Sequence, residues 1–236
     1  DEGGSYFDNI ITMMKAQQQM LIKWQNQPVN KDLWPMAAYT VNACYVSTSN
    51  EIVFPAGILQ APLYDVNASR EQNLGGIGYV IAHEITHAFD NNGAKFDKNG
   101  NATDWWMPED YAAFQQLCDD VVSYYDGIEA APGITCNGSL TLSENIADPG
   151  AAQGILEAAQ REEDPDLETM FRSIANTWCS TMPRDTAAYY ATLDVHAQDK
   201  LRANRVLQTL DEFYTTFGTT EGDGMWAPPK DRVSIC

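Results

Sequence analysis

The sequence predicts an α+β fold that is mostly helical and contains one small β-hairpin. Apolar side chains recur with helical spacing over several long segments, whereas two β-prone runs flank a single short turn. Hydrophobic residues make up 44% of the 236 residues, which is ample for a core. Because the chain shows no internal repeat or low-complexity linker, we expect residues 1–236 to form one globular unit, or one lobe of a larger protein.

The first half of the chain contains the predicted hairpin. Apolar residues at mixed spacings of three and four predict a helix over residues 6–24. Residues 39–46 and 51–54 are β-prone and flank a turn, so they predict the two strands. A loop is expected over residues 62–70, and the glycines at 75, 76 and 78 allow the helix that follows to pack closely on a neighbour.

The second half is predicted to be helical between turns. Residues 93–104 form a turn-rich connection, and a helix over residues 108–125 begins with a proline, which the first turn tolerates. Residues 133–138 predict a turn, and residues 140–161 predict a helix that is interrupted near Pro149. Further helices are predicted over residues 167–179, 186–193 and 207–217.

The charge of the chain argues against two classes of partner. Asp and Glu number 33 against 14 Lys and Arg, which gives a formal net charge of -19. Such a charge repels nucleic acid phosphates and anionic membranes. No apolar stretch approaches the ~18 residues that span a bilayer. We therefore expect no nucleic acid partner and no membrane-spanning segment in this chain.

Several features favour an extracellular or secretory-lumen location. Residues 1–5 lack the basic and apolar regions of a signal peptide, so we expect the chain to start after any targeting segment. Three N-glycosylation sequons begin at Asn67, Asn101 and Asn137, in polar, turn-like surroundings.

The cysteine content agrees with that location. The chain has five cysteines, so one of them has no partner within the chain. Cys136 and Cys236 are two candidate partners for Cys118, and the spacing does not decide between them.

The clearest functional signal is an H-E-x-x-H segment in the apolar run that begins at Gly75. Residues four apart lie on one face of a helix, so His83 and His87 offer two imidazoles to one metal ion. Glu84 lies one step round the turn, where it takes a proton from a metal-activated water without binding the metal. The segment therefore predicts the helix of a zinc peptidase.

A catalytic zinc site needs a third protein ligand and an open position for water. Glu144 and Asp148 are four residues apart and share one face of a helix. Glu144 is the candidate third ligand, and Asp148 is the candidate acceptor for the free ring N–H of a ligating histidine. Taken alone, these two carboxylates would also suit a solvated helix face.

Several motifs along the chain occur together in one known family. They are V-N-A-C-Y (41–45), E-I-V-F-P-A-G-I-L-Q (51–60), G-G-I-G-Y-V-I-A-H-E-I-T-H-A-F-D (75–90), D-W-W (104–106), S-E-N-I-A-D (143–148), W-C (178–179) and D-V-H (194–196). By these motifs the chain resembles the catalytic lobe of the neprilysin and endothelin-converting-enzyme family of zinc peptidases. The resemblance implies a thermolysin-like zincin fold.

The resemblance implies a role for each residue of the metal centre. His83, His87 and Glu144 would bind one catalytic zinc ion. Glu84 would be the general base, and Asp148 would contact a ligand histidine.

The resemblance also implies groups that face the substrate. His196 would stabilise the oxyanion of the tetrahedral intermediate, with Asp194 orienting it. Arg202 would hold a backbone carbonyl of the substrate, while Asn42 and Ala43 would pair with the peptide as an added strand.

An apolar subsite would take the residue that follows the scissile bond, which implies cleavage on the amino side of hydrophobic residues. Its expected walls are Ile58, Leu63, Tyr79, Val80 and Trp178. Each of these residues would equally suit ordinary core packing.

The chain departs from the family pattern at a few positions. Ser143 stands where the family usually has glycine, and Cys44 stands where an aromatic residue is usual. Pro149 directly follows the aspartate of the S-E-N-I-A-D motif. None of these departures removes a catalytic group.

Family members are much longer and place a second, mostly helical lobe over the active site. The resemblance therefore implies peptide substrates and a missing N-terminal lobe or second chain as partner. The chain would be a processed product, one segment of a two-chain enzyme, or a fragment.

We expect a zinc-dependent endopeptidase that hydrolyses oligopeptides. The main alternative is a non-catalytic binding or assembly module derived from a peptidase lobe, and a weaker one is a zinc-stabilised structural domain. Metal content and peptide cleavage, measured together, distinguish the three.

Overall fold

The computed structural model describes residues 2–25 and 27–234. The chain divides into two compact units, the first ending at Leu33 and the second beginning at Trp34. The first unit contains helix α1 (Tyr6–Trp24), whose N-terminus is capped by Ser5, and this confirms the predicted first helix. All the predicted site residues belong to the second unit. That residues 1–236 form a single lobe stays a prediction, because a lobe can contain more than one compact unit.

The second unit is mostly helical and has two small antiparallel sheets, which confirms the predicted fold class. Its elements in chain order are β1 (Cys44–Val46), β2 (Glu51–Val53), α2 (Arg70–Asn73), α3 (Tyr79–Thr86), α4 (Pro108–Tyr125), β3 (Glu129–Ala131), β4 (Ile134–Thr135), α5 (Leu142–Ala159), α6 (Leu167–Thr177), α7 (Arg184–Tyr190), α8 (Asp199–Leu207) and α9 (Asp211–Phe217).

The predicted hairpin is confirmed, but it is not the only one among the described residues. In the first hairpin, β1 pairs with β2 so that Cys44 lies opposite Val53. A second hairpin joins β3 and β4 through Gly133, which has a positive φ of 72°. The prediction of one hairpin is therefore wrong. These two strands are too short for alternation of apolar and polar residues to reveal them.

Helix α5 differs from the prediction for residues 140–161. Helix α5 runs without a break past Pro149, so the predicted interruption is wrong. Proline removes one backbone donor, but Ile146, Ala147, Ala151 and Ala152 on either side of it are all buried, and their packing keeps the helix continuous.

Helix α8 lies where no helix was predicted, and the predicted helix over residues 207–217 begins only at Asp211. In the sequence, the charged residues of α8 obscure the helical spacing of its apolar residues. Ala203, Val206 and Leu207 nevertheless follow a spacing of three and four, and all three are buried.

Helix α5 is central to the second unit, since it packs against α3, α4 and α8. A buried cluster formed largely by α5, α6, α8 and α9 includes Leu156, Phe171 and Val206. A Cβ added to Gly75 would lie 2.2 Å from the Met170 carbonyl oxygen, and one added to Gly76 would lie 2.2 Å from the Leu63 carbonyl oxygen. These distances confirm the predicted close packing at Gly75 and Gly76, whereas a Cβ added to Gly78 would lie no closer than 3.3 Å to its neighbours.

Cysteine pairing differs from the expectation. Cys44, Cys118, Cys136 and Cys179 are all free thiols. The Cys136 sulfur instead lies 3.4 Å from the Thr141 hydroxyl oxygen, so the pairing of Cys118 with Cys136 is wrong. Cys236 lies outside the described residues.

None of the helices within residues 2–25 and 27–234 has both the length and the apolarity needed to cross a bilayer.

Candidate metal centre

Helix α3 places the two histidines of the H-E-x-x-H segment side by side. His83 belongs to the last turn of α3, and His87 follows as its C-cap residue with helical backbone angles, φ -57° and ψ -20°. The imidazoles therefore project from the same face, and their Nε2 atoms lie 2.9 Å apart.

Helix α5 brings Glu144 to the same point. Its Oε2 lies 3.1 Å from His83 Nε2 and 3.6 Å from His87 Nε2. This oxygen is buried and has no hydrogen-bond partner. A cation would satisfy it, and two imidazole nitrogens with one carboxylate oxygen form a donor set that suits catalytic zinc. The residues of the site therefore fit a zinc ion.

Each of the two histidines, His83 and His87, is oriented by a carboxylate. His83 Nδ1 lies 2.8 Å from Asp148 Oδ1, and His87 Nδ1 lies 2.6 Å from Asp90 Oδ2. A carboxylate that accepts the Nδ1–H fixes the tautomer in which Nε2 carries the lone pair for a metal. Asp148 was predicted to act in this way. Asp90 was given no role from the sequence, although its position three residues after His87 is a signal that could have identified it.

Asp90 is held by several donors. It is 2% exposed, and its Oδ1 accepts the backbone N–H groups of Asn92 and Gly93, both at 2.7 Å. Its Oδ2 accepts a hydrogen bond from the Ser143 hydroxyl as well as from His87. The carboxylate therefore joins α5 to the end of α3.

Arg202 holds Asp148 from α8. Its Nε and Nη2 donate to the two carboxylate oxygens at 2.7 and 2.8 Å, and its guanidinium lies 3.8 Å from the centroid of the Trp178 ring. Burial alone would raise the pKa of Asp148, but the charge and hydrogen bonds of Arg202 hold it well below its usual range. Asp148 is therefore ionised when it accepts the hydrogen bond from His83 Nδ1.

Glu84 lies beside the cluster formed by His83, His87 and Glu144, and it is 5% exposed. Burial raises the pKa of its carboxyl group above the usual range, which suits a group that accepts and returns a proton. His83 and His87 partly offset the rise.

His196 approaches the cluster from the connection between α7 and α8. Its Nε2 lies 3.4 Å from Glu144 Oε2, and its Nδ1 lies 2.8 Å from Asp194 Oδ1. Asp194 Oδ1 also accepts the backbone N–H of His196 at 2.9 Å. The structure therefore places the predicted pair together at the edge of the centre.

The side chains of His83, Glu84, His87, Glu144 and His196 line one cavity of about 630 Å³. All the predicted substrate-binding residues line it, namely Asn42, Ala43, Ile58, Leu63, Tyr79, Val80, Trp178 and Arg202. Of the other predicted residues, Asp148 and Asp194 are not part of its wall. Tyr79 is completely buried and Ile58 is 4% exposed, so both residues also serve the core.

In the metal-free protein, His87 is expected to remain protonated well above neutral pH. Burial alone would lower its pKa, but its contacts with Asp90 and Glu144 raise the pKa to about 10. A ligand imidazole must be neutral, so zinc affinity should rise with pH up to this range. Titration of the imidazole ¹⁵N shifts by NMR measures the midpoint. One equivalent of zinc should abolish the titration, whereas a midpoint near the ordinary ~6.5 would contradict the expectation.

Comparison with known proteins gives a consistent family assignment. Residues 42–233 match the family model described as Peptidase family M13. The chain is 48% identical over 210 residues to a neutral endopeptidase of Lactococcus lactis, covering 89% of this chain and 33% of that protein. It is 38% identical over 243 residues to neprilysin of Homo sapiens, covering 97% of this chain and 32% of that protein.

Solved structures agree. The crystal structure of PepO from Lactobacillus rhamnosis superposes with a TM-score of 0.83 at 40% identity, covering 87% of this chain and 33% of that one. A Mycobacterium tuberculosis zinc metalloprotease in complex with an inhibitor gives a TM-score of 0.83 at 36% identity, covering 89% and 34%. The chain thus spans about a third of the length of the relatives it matches.

Proposed function

Because the chain belongs to peptidase family M13, we propose that it carries the catalytic centre of a zinc-dependent endopeptidase that hydrolyses oligopeptides. The convergence of His83 Nε2, His87 Nε2 and Glu144 Oε2 at one point supports this proposal most strongly. Histidine and carboxylate ligands of this kind hold zinc while leaving a position open for water.

Glu84 is the proposed general base. Bound zinc supplies a Lewis acid that polarises the scissile carbonyl and makes water more acidic. Glu84 takes a proton from the attacking water and then delivers it to the leaving amine. Because its pKa is raised, the Glu84 carboxylate is a stronger base towards the water, and its acid form can still give the proton to the amine.

His196 is the proposed oxyanion donor. Asp194 Oδ1 lies against Nδ1, so Nε2 is the ring nitrogen that faces the metal centre, where it would interact with the oxygen on which negative charge develops. The proximity of His196 to Glu144 supports a role next to the metal rather than on a remote surface.

The proposed substrate binds as an extended peptide alongside Asn42 and Ala43, which directly precede β1. Arg202 uses Nε and Nη2 on Asp148, which leaves Nη1 to donate to a substrate carbonyl. In this role Arg202 would link the substrate to the acceptor of His83.

Peptides with a hydrophobic residue after the scissile bond should be cleaved fastest. The apolar walls formed by Leu63, Val80 and Trp178 would bury such a side chain, whereas a carboxylate there would lose its hydration. We expect kcat/KM to be at least about tenfold higher for Leu than for Asp at this position. Quenched peptides that differ only at this residue measure the ratio, and equal rates would contradict the subsite.

Zinc content and peptide cleavage, measured on one preparation, test the proposed function. Zinc with turnover supports it. Zinc without turnover favours a non-catalytic binding or assembly module, or a zinc-stabilised domain. We further propose that an N-terminal lobe or second chain completes the site, and that the protein is extracellular or lies in the lumen of the secretory pathway.

A further inference from the structure

We propose that Ser143 is a positioning residue of the metal centre, whose hydroxyl couples the helix carrying Glu144 to the carboxylate that orients His87. The inference rests on the proposed zinc site. The Ser143 hydroxyl would keep Glu144 and His87, which lie on different elements, at a fixed separation.

Ser143 lies in the first turn of α5 and directly precedes Glu144. The Ser143 hydroxyl donates to Asp90 Oδ2, the same oxygen that lies 2.6 Å from His87 Nδ1. Asp90 Oδ1 is already bound by the backbone N–H groups of Asn92 and Gly93. Since Asp90 is 2% exposed, these protein donors take the place of water around its carboxylate.

The other side-chain hydrogen bonds at the start of α5 do not reach the loop that follows α3. The N-cap residue, Thr141, makes no side-chain capping hydrogen bond; its hydroxyl donates to the Asn137 carbonyl and accepts from the Asn145 side-chain amide. The Ser143 hydroxyl therefore ties the turn that carries Glu144 to the loop that follows α3.

Two series of side-chain hydrogen bonds thus connect α3, with the loop that follows it, to α5. One runs from His83 through Asp148 on α5. The other runs from His87 through Asp90 to Ser143 and hence to Glu144. Loss of the hydroxyl would leave Asp90 fixed by its backbone donors but would free the start of α5, so Glu144 would leave the metal more readily. A glycine at this position cannot make the second link.

Replacement of Ser143 by threonine and by valine tests the inference, because these side chains have nearly the same shape and only threonine has the hydroxyl. Zinc release into excess chelator is measured for the purified chain. We expect Ser143→Thr to release zinc within about twofold of the wild-type rate, and Ser143→Val and Ser143→Ala about tenfold faster. The absorption spectrum of the Co²⁺-substituted protein should change in the same two variants and remain unchanged in Ser143→Thr.

Ser123→Ala is the matched control. Ser123 is also a helix serine, in α4, but its hydroxyl donates only to the Asp119 carbonyl, so zinc release should not change. Wild-type release rates for Ser143→Val and Ser143→Ala would overturn the inference. Equal acceleration in Ser143→Thr and Ser143→Val would also overturn it, because bulk and not the hydroxyl would then be responsible.

The zinc measurements do not depend on turnover, so failure of the inference is distinguishable from failure of the proposed function. A wild-type chain that holds zinc but cleaves no peptide contradicts the proposed function, while the comparison of threonine with valine still decides the role of Ser143. A wild-type chain that binds no zinc overturns both.

Discussion

Glu84→Gln is expected to lower kcat/KM for peptide cleavage by about 10²–10⁴-fold while zinc remains bound. The amide keeps the size of the carboxylate but cannot accept the proton of the attacking water. Zinc should remain because its proposed ligands, His83, His87 and Glu144, are unchanged. Cleavage of a quenched peptide and zinc content measure the two parts of this prediction.

Glu109→Gln is a suitable control, since Glu109 is an exposed residue in the first turn of α4 and lies outside the cavity. This variant should cleave at the wild-type rate. Retained turnover in Glu84→Gln would remove Glu84 from the role of general base, and loss of zinc would assign it a part in binding the metal.

Arg202→Met is expected to lower the free energy of unfolding of the metal-free protein by about 3–5 kcal/mol. Arg202 is 6% exposed and Asp148 is 1% exposed, so removal of the cation leaves a buried carboxylate without its charged partner. Methionine keeps much of the hydrophobic stem, which limits the loss of packing. Urea unfolding followed by circular dichroism measures the change.

Arg172→Met provides the matched control on α6. Arg172 pairs with Glu168 at 2.8 Å, but their side chains are 67% and 54% exposed, so its loss should change the stability by less than about 1 kcal/mol. A similarly small change for Arg202→Met would show that the buried pair contributes little to the fold.

The parts of the site that lie on a single helix could be predicted from the sequence. The helical period alone places His83 beside His87, and Glu144 on the same face as Asp148. The resemblance then added the residues on other elements. The structure brings His83 and Glu144 to one place, because α3 and α5 pack against each other directly.

Other contacts that depend on tertiary packing were not predicted. Asp90 accepts from both His87 and Ser143 only because the chain turns back at residues 90–93 and α5 begins beside it. The bond of Arg202 to Asp148 requires α8 to lie against α5, and α8 itself was missed. At Pro149, burial of the flanking residues overrides the local preference of proline to end a helix.

Titration of the metal-free protein with zinc, while the cleavage of a quenched peptide is followed, tests the central claim most directly. If His83, His87 and Glu144 form one catalytic zinc site, the rate should rise linearly and level off at about one zinc ion per chain. Full cleavage before zinc is added, or binding of one equivalent without any cleavage, would contradict the proposal.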